Sequence, residues 1–307
     1  MKKLLLSLWA LSFTTFVFAA EHTAFSPDKR LHLTVRDDGG QPTYTLNYDG
    51  LEVIKPSKLG LKADYGDFTQ GMKIVEATEK AVQTVYDMTR TKRAHVDQKA
   101  TMLTLKLVND KGYPLQITFY IANNDVAYRY TLLPVKDENP RCAVIYGETS
   151  SFNFPNETRR FMTPQIQPMS GWQRTKPSYE EEFVPDARLT DKSKYGVGYT
   201  FPCLFRIPNK GNNTWILISE TGTSSYPGCR LSEYEPTKGY HIAYPQAGEN
   251  NGFGSEFASI PLPSSTPWRT ITVGNSLQPI VETTIPYDVV EPLYTTQNDY
   301  KPGRYTW

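Results

Sequence analysis

Short apolar runs of period two, separated by turn residues, recur along most of the chain and confine it to antiparallel β-structure. Leu31-His32-Leu33-Thr34-Val35 alternates, Asp37-Asp38-Gly39-Gly40 interrupts it, Thr43 to Tyr48 alternates again, and Asp49-Gly50 supplies a tight turn. Met102 to Val108 runs into Asn109-Asp110-Lys111-Gly112, and Leu115 to Ile121 and Val126 to Leu133 follow around an Asn-Asn-Asp turn. Trp215 to Ile218 and Thr270 to Val273 continue the pattern. No stretch carries a 3.6-residue apolar stripe over three turns, and 23 prolines are scattered throughout, so helices are not expected. Strands at roughly 8–12-residue spacing argue for a sandwich rather than a parallel sheet. At 307 residues that sandwich must be large, with two broad antiparallel sheets.

The termini set expectations about processing and completeness. Met1-Lys2-Lys3 is a positive n-region, Leu4 to Phe18 is apolar, and Val17-Phe18-Ala19 fits a small-residue cleavage rule. This reads as a secretory signal peptide over residues 1–20, cut after Ala19 or Ala20. The apolar run is too short for a membrane span. No Cys follows the site, which argues against a lipid anchor there. The mature chain is expected in a periplasm. Residues 21–280 read as one β-domain, and residues 281–307, with Pro286, Pro292 and Pro302, as a connector. Lys301-Pro302-Gly303-Arg304 resembles the opening of a further element, so a fragment or truncated reading frame is also considered.

Composition excludes some classes. A net charge of +1 without a basic stripe gives no reason to expect nucleic acid. Twenty Tyr and 5 Trp suit a carbohydrate-facing surface, although large sandwiches are rich in such residues anyway. Cys142, Cys203 and Cys229 fit no zinc spacing; Cys203 and Cys229 could pair if their strands are neighbours, and the sequence leaves the pairing open. The four His form no metal-binding pair, His32 reads as a structural or surface residue, and there is no Gly-x-Ser-x-Gly elbow or phosphate loop.

Two acidic positions stand out. Ser178-Tyr179-Glu180-Glu181-Glu182-Phe183 places three carboxylates on a loop introduced by Pro177, able to face a hard cation such as Ca²⁺ or simply to be solvated. Glu220 leaves the strand Trp215–Ser219, a position suited to binding, capping or a salt bridge.

Six segments in order resemble glycoside hydrolase family 97. They are Leu51 to Leu61 with its Ser57-Lys58-Leu59-Gly60, Asn124 to Tyr130, Ser178-Tyr179-Glu180, Ile218-Ser219-Glu220 with Tyr226-Pro227-Gly228, Thr266-Pro267-Trp268-Arg269, and Asp299 to Arg304. Asn124 and Val126 depart from the family's preferred Asp and Gly. The resemblance implies an N-terminal β-super-sandwich of galactose-mutarotase-like fold, a central (β/α)₈ barrel and a small C-terminal β-domain. It implies hydrolysis of α-glucosidic or α-galactosidic bonds by two carboxyl groups on the barrel, so no catalytic residue is expected in this chain. It also implies Ca²⁺ at the active site, one Glu of which the sandwich lends: Glu180 first, then Glu182 and Glu220. Trp172 and Tyr179 are the expected sugar-binding aromatics. The expected partners are an α-linked glucose or galactose oligosaccharide and the barrel. A free-standing carbohydrate-binding sandwich is the alternative. Sugar epimerases share this shape but need a His and Glu pair that cannot be assembled here.

Overall fold

The structure is a computed structural model that describes residues 20–88, 92–135, 141–166, 182–224, 226–249, 255–291 and 303. Four strands, β1 (Glu21–Phe25), β2 (Leu31–Arg36), β3 (Thr43–Tyr48) and β4 (Leu51–Lys58), form an antiparallel sheet in chain order. Its period-two pattern has the expected cause: Leu31, Leu33 and Val35 of β2 and Tyr44, Leu46 and Tyr48 of β3 are buried on one face. Asp49 and Gly50 both take positive φ (50° and 78°), the backbone that a two-residue hairpin turn requires.

Two short strands follow, β5 (Leu61–Ala63) and β6 (Gly66–Asp67), then β7 (Lys73–Asp87), β8 (His95–Val108), β9 (Pro114–Ile121) and β10 (Asp125–Leu132). Next come β11 (Cys142–Glu148), β12 (Ser151–Phe152), β13 (Arg159–Pro164), β14 (Val184–Arg188), β15 (Tyr199–Asn209) and β16 (Asn212–Thr221). The chain continues through β17 (Arg230–Leu231), β18 (Tyr240–Ala243), β19 (Ala258–Pro261), β20 (Ser264–Ser265) and β21 (Trp268–Gly274), then two helices, α1 (Gln278–Glu282) and α2 (Ile285–Val289). The large sheet runs β12-β18-β17-β15-β16-β21-β10-β9-β8-β7, with β13, β14 and β20 attached beside it. A second small sheet has the order β19-β11-β5-β6. The two small sheets pack on the large one around a single main core, in which Tyr44 lies 5.6 Å from Tyr128, ring to ring.

The large antiparallel β-sandwich expected from the strand pattern is therefore present. Helices were not expected, and two exist. Each is five residues long, too short to show a stripe over three turns, and each carries Pro in its first turn, where the ring fits. They cover the outer face of the large sheet, where Ile285, Val289 and Val290 meet Ala100, Tyr120, Ala127 and Trp268. This cover is why all seven residues of β21 are buried. Burying Ile285 contributes about 1.5–3 kcal/mol. No helix among the described residues is long and apolar enough to cross a membrane.

Candidate functional site

Adjacent residues of β21 point to opposite faces of the sheet, and the Thr266-Pro267-Trp268-Arg269 segment uses both. Arg269 points inward. It stands opposite Glu220 of β16 on one side and Tyr128 of β10 on the other. Its guanidinium is completely buried and forms ion pairs with Glu220 and with Glu148 at the end of β11, the latter through both Nη2 and Nε (3.2 Å to Oε2). Two carboxylates against one guanidinium leave a formal excess of one negative charge, and hydrogen-bond donors surround it. The Tyr226 and Tyr244 hydroxyls reach Glu148 Oε1 at 3.3 and 3.4 Å, Ser150 Oγ donates to Glu148 Oε2 at 2.9 Å, and the Cys229 backbone N–H donates to Glu220 Oε1 at 3.0 Å. Such satisfaction is the condition under which buried charges are tolerated. Burial alone would lower the Arg269 pKa, but Glu148, Cys229 and Glu220 outweigh it, and the guanidinium stays charged.

The cluster ties the sheets together. Ser150 Oγ meets Tyr130 Oη at 2.8 Å, and Tyr130 Oη accepts the Gly60 N–H at 2.9 Å. Gly60 has φ of 130°, and a Cβ there would stand 2.5 Å from the Phe68 carbonyl oxygen, so only glycine fits. Ser57 is fully buried and accepts the Asn153 N–H at 2.9 Å. Four of the six segments singled out in the sequence thus meet in one polar clasp, which anchors the loop leaving β16.

The outward face of the same strands is different in kind. The Arg129 guanidinium of β10 stacks over Trp268 at 4.4 Å. Both border a cavity of about 600 Å³ lined by Gly222, Thr223 and Ser224 of the β16 exit loop and by Val289 and Val290. Arg129 Nε and Trp268 Nε1 are buried and have no acceptor among the described residues. Burial lowers the Arg129 pKa. The cavity wall can therefore donate hydrogen bonds to a carbonyl, carboxylate or hydroxyl oxygen.

A third polar cluster fastens the helices. Asp125 Oδ1 accepts from the Thr272 hydroxyl (2.6 Å) and from that of Thr283 between α1 and α2 (2.7 Å). Burial raises Asp125 to about 6, opposed by these hydroxyls. Tyr86 Oη of β7 donates to Asp288 of α2 at 2.7 Å. The stretch expected to be a connector from residue 281 thus begins as a packed, hydrogen-bonded layer.

Among the residues expected to form a site, Trp172, Tyr179 and Glu180 lie outside the described residues. Glu182 is exposed, two residues before β14. Glu220 is held in the clasp, with one oxygen on the Cys229 N–H and the other on Arg269. Among the described residues no group of three or more His, Cys, Asp or Glu could hold a metal ion. Cys203 and Cys229 are free thiols, contrary to the pairing considered. Their strands are neighbours, but the β15–β17 bridge joins Tyr199 to Leu231, while Cys203 Sγ bonds the Thr200 carbonyl and Cys229 Sγ faces Arg269. Burial pushes Cys229 up to about 12 and Cys203 higher still, which removes both as nucleophiles near neutral pH. His32 is structural, its Nε2 donating to the Lys29 carbonyl at 2.7 Å.

Glu148 and Tyr244 were not anticipated at all. Arg269 was visible only as part of a motif, without a role. Nothing near Tyr146-Gly147-Glu148 marks that carboxylate as buried, because its cation is 121 residues away in the chain.

Comparison with known proteins places this architecture. The chain is 24% identical over 311 residues to a probable retaining α-galactosidase of Streptomyces bingchenggensis, covering 97% of this chain and 44% of that protein. It is 22% identical over 325 residues to the retaining α-galactosidase of Bacteroides thetaiotaomicron, covering 100% and 47%. The chain thus spans under half the length of these curated relatives. Among solved structures, a β-arabinopyranosidase superposes with a TM-score of 0.86 at 45% identity, over 91% of this chain and 44% of that one. A glycoside hydrolase family 97 enzyme from a Pseudoalteromonas strain, in complex with panose, superposes at 0.70 with 21% identity, over 88% and 38%. The family model described as glycosyl-hydrolase 97 N-terminal matches residues 24–292, nearly the whole described fold, and the chain belongs to that family.

Proposed function

We propose that this N-terminal domain forms one wall of the active-site cleft of an exo-acting glycosidase and does not itself break the bond. The family match over residues 24–292 carries the reading. The clasp supports it, because Arg269, Glu148 and Glu220 are committed to one another and offer no acid or base to a substrate. A (β/α)₈ barrel would supply the two carboxyl groups that glycoside hydrolysis needs, from loops at its strand ends. The preferred sugar is of galacto configuration. A 45% identical structure is a β-arabinopyranosidase and two curated relatives are α-galactosidases. β-L-arabinopyranose is α-D-galactopyranose without its exocyclic hydroxymethyl group, so one cleft shape suits both.

Any Ca²⁺ contribution comes from Glu180 or Glu182, because both oxygens of Glu220 are engaged. One or two lent carboxylates fall well short of the six to eight oxygens the ion takes, so the chain alone should bind it weakly. A leader ending at Ala19 or Ala20 directs the protein to the periplasm.

Purified alone, the chain is expected to turn over neither nitrophenyl α-galactoside nor nitrophenyl β-arabinopyranoside. Substituted for the N-terminal domain of the 45% identical arabinopyranosidase, it should restore hydrolysis of those substrates in preference to an α-glucoside. Measurable turnover by the chain alone would sink the proposal, as would a chimera no more active than the barrel without it. Tight binding of galactosides by the chain alone would favour a free-standing carbohydrate-binding protein instead.

A further inference from the structure

We propose that maturation cuts the Ala19–Ala20 peptide bond and that the α-ammonium created on Ala20 docks onto the Asp37 carboxylate. The inference rests on the export reading and goes beyond it by choosing the bond and giving the new terminus a structural role. The Ala20 backbone nitrogen stands 2.7 Å from Asp37 Oδ1. The contact is reciprocal, since the Asp37 N–H donates to the Ala20 carbonyl at 3.3 Å. Asp37 is itself held: its Oδ2 accepts the Ile74 N–H at 3.0 Å, so the carboxylate is aimed before any ammonium arrives.

Ala20 immediately precedes β1, whose first residue, Glu21, pairs with Arg36 at the end of β2. The strand pairing therefore fixes where the Ala20 nitrogen lies. A cavity of about 710 Å³ bordered by Ala20, Asp37, Gly71, Lys73 and Asp110 adjoins this corner and leaves room for the hydrogens of an ammonium.

The leader chemistry selects the same bond. A cut after Ala19 puts Ala19 beside the scissile bond and Val17 at the third residue before it, whereas a cut after Ala20 would place the bulky Phe18 there. It would also move the ammonium to Glu21, about 3.8 Å further along the chain and away from Asp37. In the cleavage a signal peptidase adds water across the amide. The hydroxyl goes to the Ala19 carbonyl carbon, which becomes a carboxylate, and the protons go to the Ala20 nitrogen. The neutral N–H···O⁻ contact becomes a charge-assisted one, roughly twice as strong where solvent is excluded. Asp37 is half-buried, so the gain at this site is reduced by screening.

The test uses the full chain expressed with its leader in a Gram-negative host, followed by intact mass and N-terminal sequencing. The expected mature protein begins Ala20-Glu21-His22. Any other cut overturns the assignment while sparing the export reading, and an uncut chain overturns both. The docking is tested separately. Asp37→Asn is made in the authentic mature chain and in a leaderless chain carrying two extra residues ahead of Ala20, where the nitrogen remains an amide. Asp37→Asn should lower the Tm of the authentic chain by about 2 °C more than that of the extended chain. Equal losses in both would show that Asp37 serves only as a backbone acceptor.

Discussion

Arg269→Met is expected to be the most damaging single substitution in this domain, costing about 3–5 kcal/mol of unfolding free energy. The native side chain neutralises one of two buried carboxylates, and its removal leaves Glu148 and Glu220 facing each other with no cation between them. For a chain of this size the loss corresponds to a fall in Tm of roughly 10 °C. Guanidinium chloride titrations followed by tryptophan fluorescence would measure it. The physical cause can be separated from lost packing by adding Glu148→Gln and Glu220→Gln. With the carboxylates neutral, Arg269→Met should cost much less than in the native background. An equal cost in both backgrounds would mean that the charge cluster is not what makes Arg269 indispensable.

Asp125→Asn is expected to change how stability depends on pH by about 3 kcal/mol. The native carboxyl titrates at about 6 because it is buried, whereas in the unfolded chain it returns to 3.8. The folded state therefore binds the proton more tightly, and each pKa unit is worth about 1.4 kcal/mol. The stability that Asp125 contributes is fully present below about pH 4 and is lost as pH rises through about 6. Neighbouring charges modify this only secondarily, Asp288 raising and Arg93 lowering the value. Asparagine retains an acceptor for the Thr272 and Thr283 hydroxyls without the titration. The stability of the variant relative to the native chain should thus improve by about 3 kcal/mol from pH 4 to pH 7.5. Urea titrations at both pH values would test it, and parallel curves for the two proteins would refute the assignment. Because Thr283 lies between α1 and α2, the same titration sets how firmly the helical layer is held to the sheet.

Several strands with one buried face were legible, although β13 and β15, whose burial also alternates, were not singled out. Thr43–Tyr48 was located to the residue, and β2, β9, β10 and β21 to within two residues, because apolar and polar positions alternate at the period of the strand. β7 was not seen. Its 15 residues are mostly exposed on both faces, so no alternation marks it, and its partner β8 specifies it instead. The helices failed for the opposite reason, since five residues cannot display a helical period.

The site was legible as residues but not as contacts. Glu220 was noticed as a strand-end carboxylate open to three roles, and only its pairing with Arg269 selected the salt bridge. Glu148 carried no local signal, and Gly60 and Ser57 were visible as motif letters whose meaning, a forbidden Cβ and a buried acceptor, came from neighbours distant in sequence.

By itself the sequence determined the class of structure, an antiparallel sandwich, and the family, because alternation and ordered motifs are written along the chain. Only the tertiary structure decided which polar residues are committed to one another. Charge neutralisation acts across a few ångströms of space, and the folded sheets bring together Glu148, Glu220 and Arg269 from strands far apart in the chain.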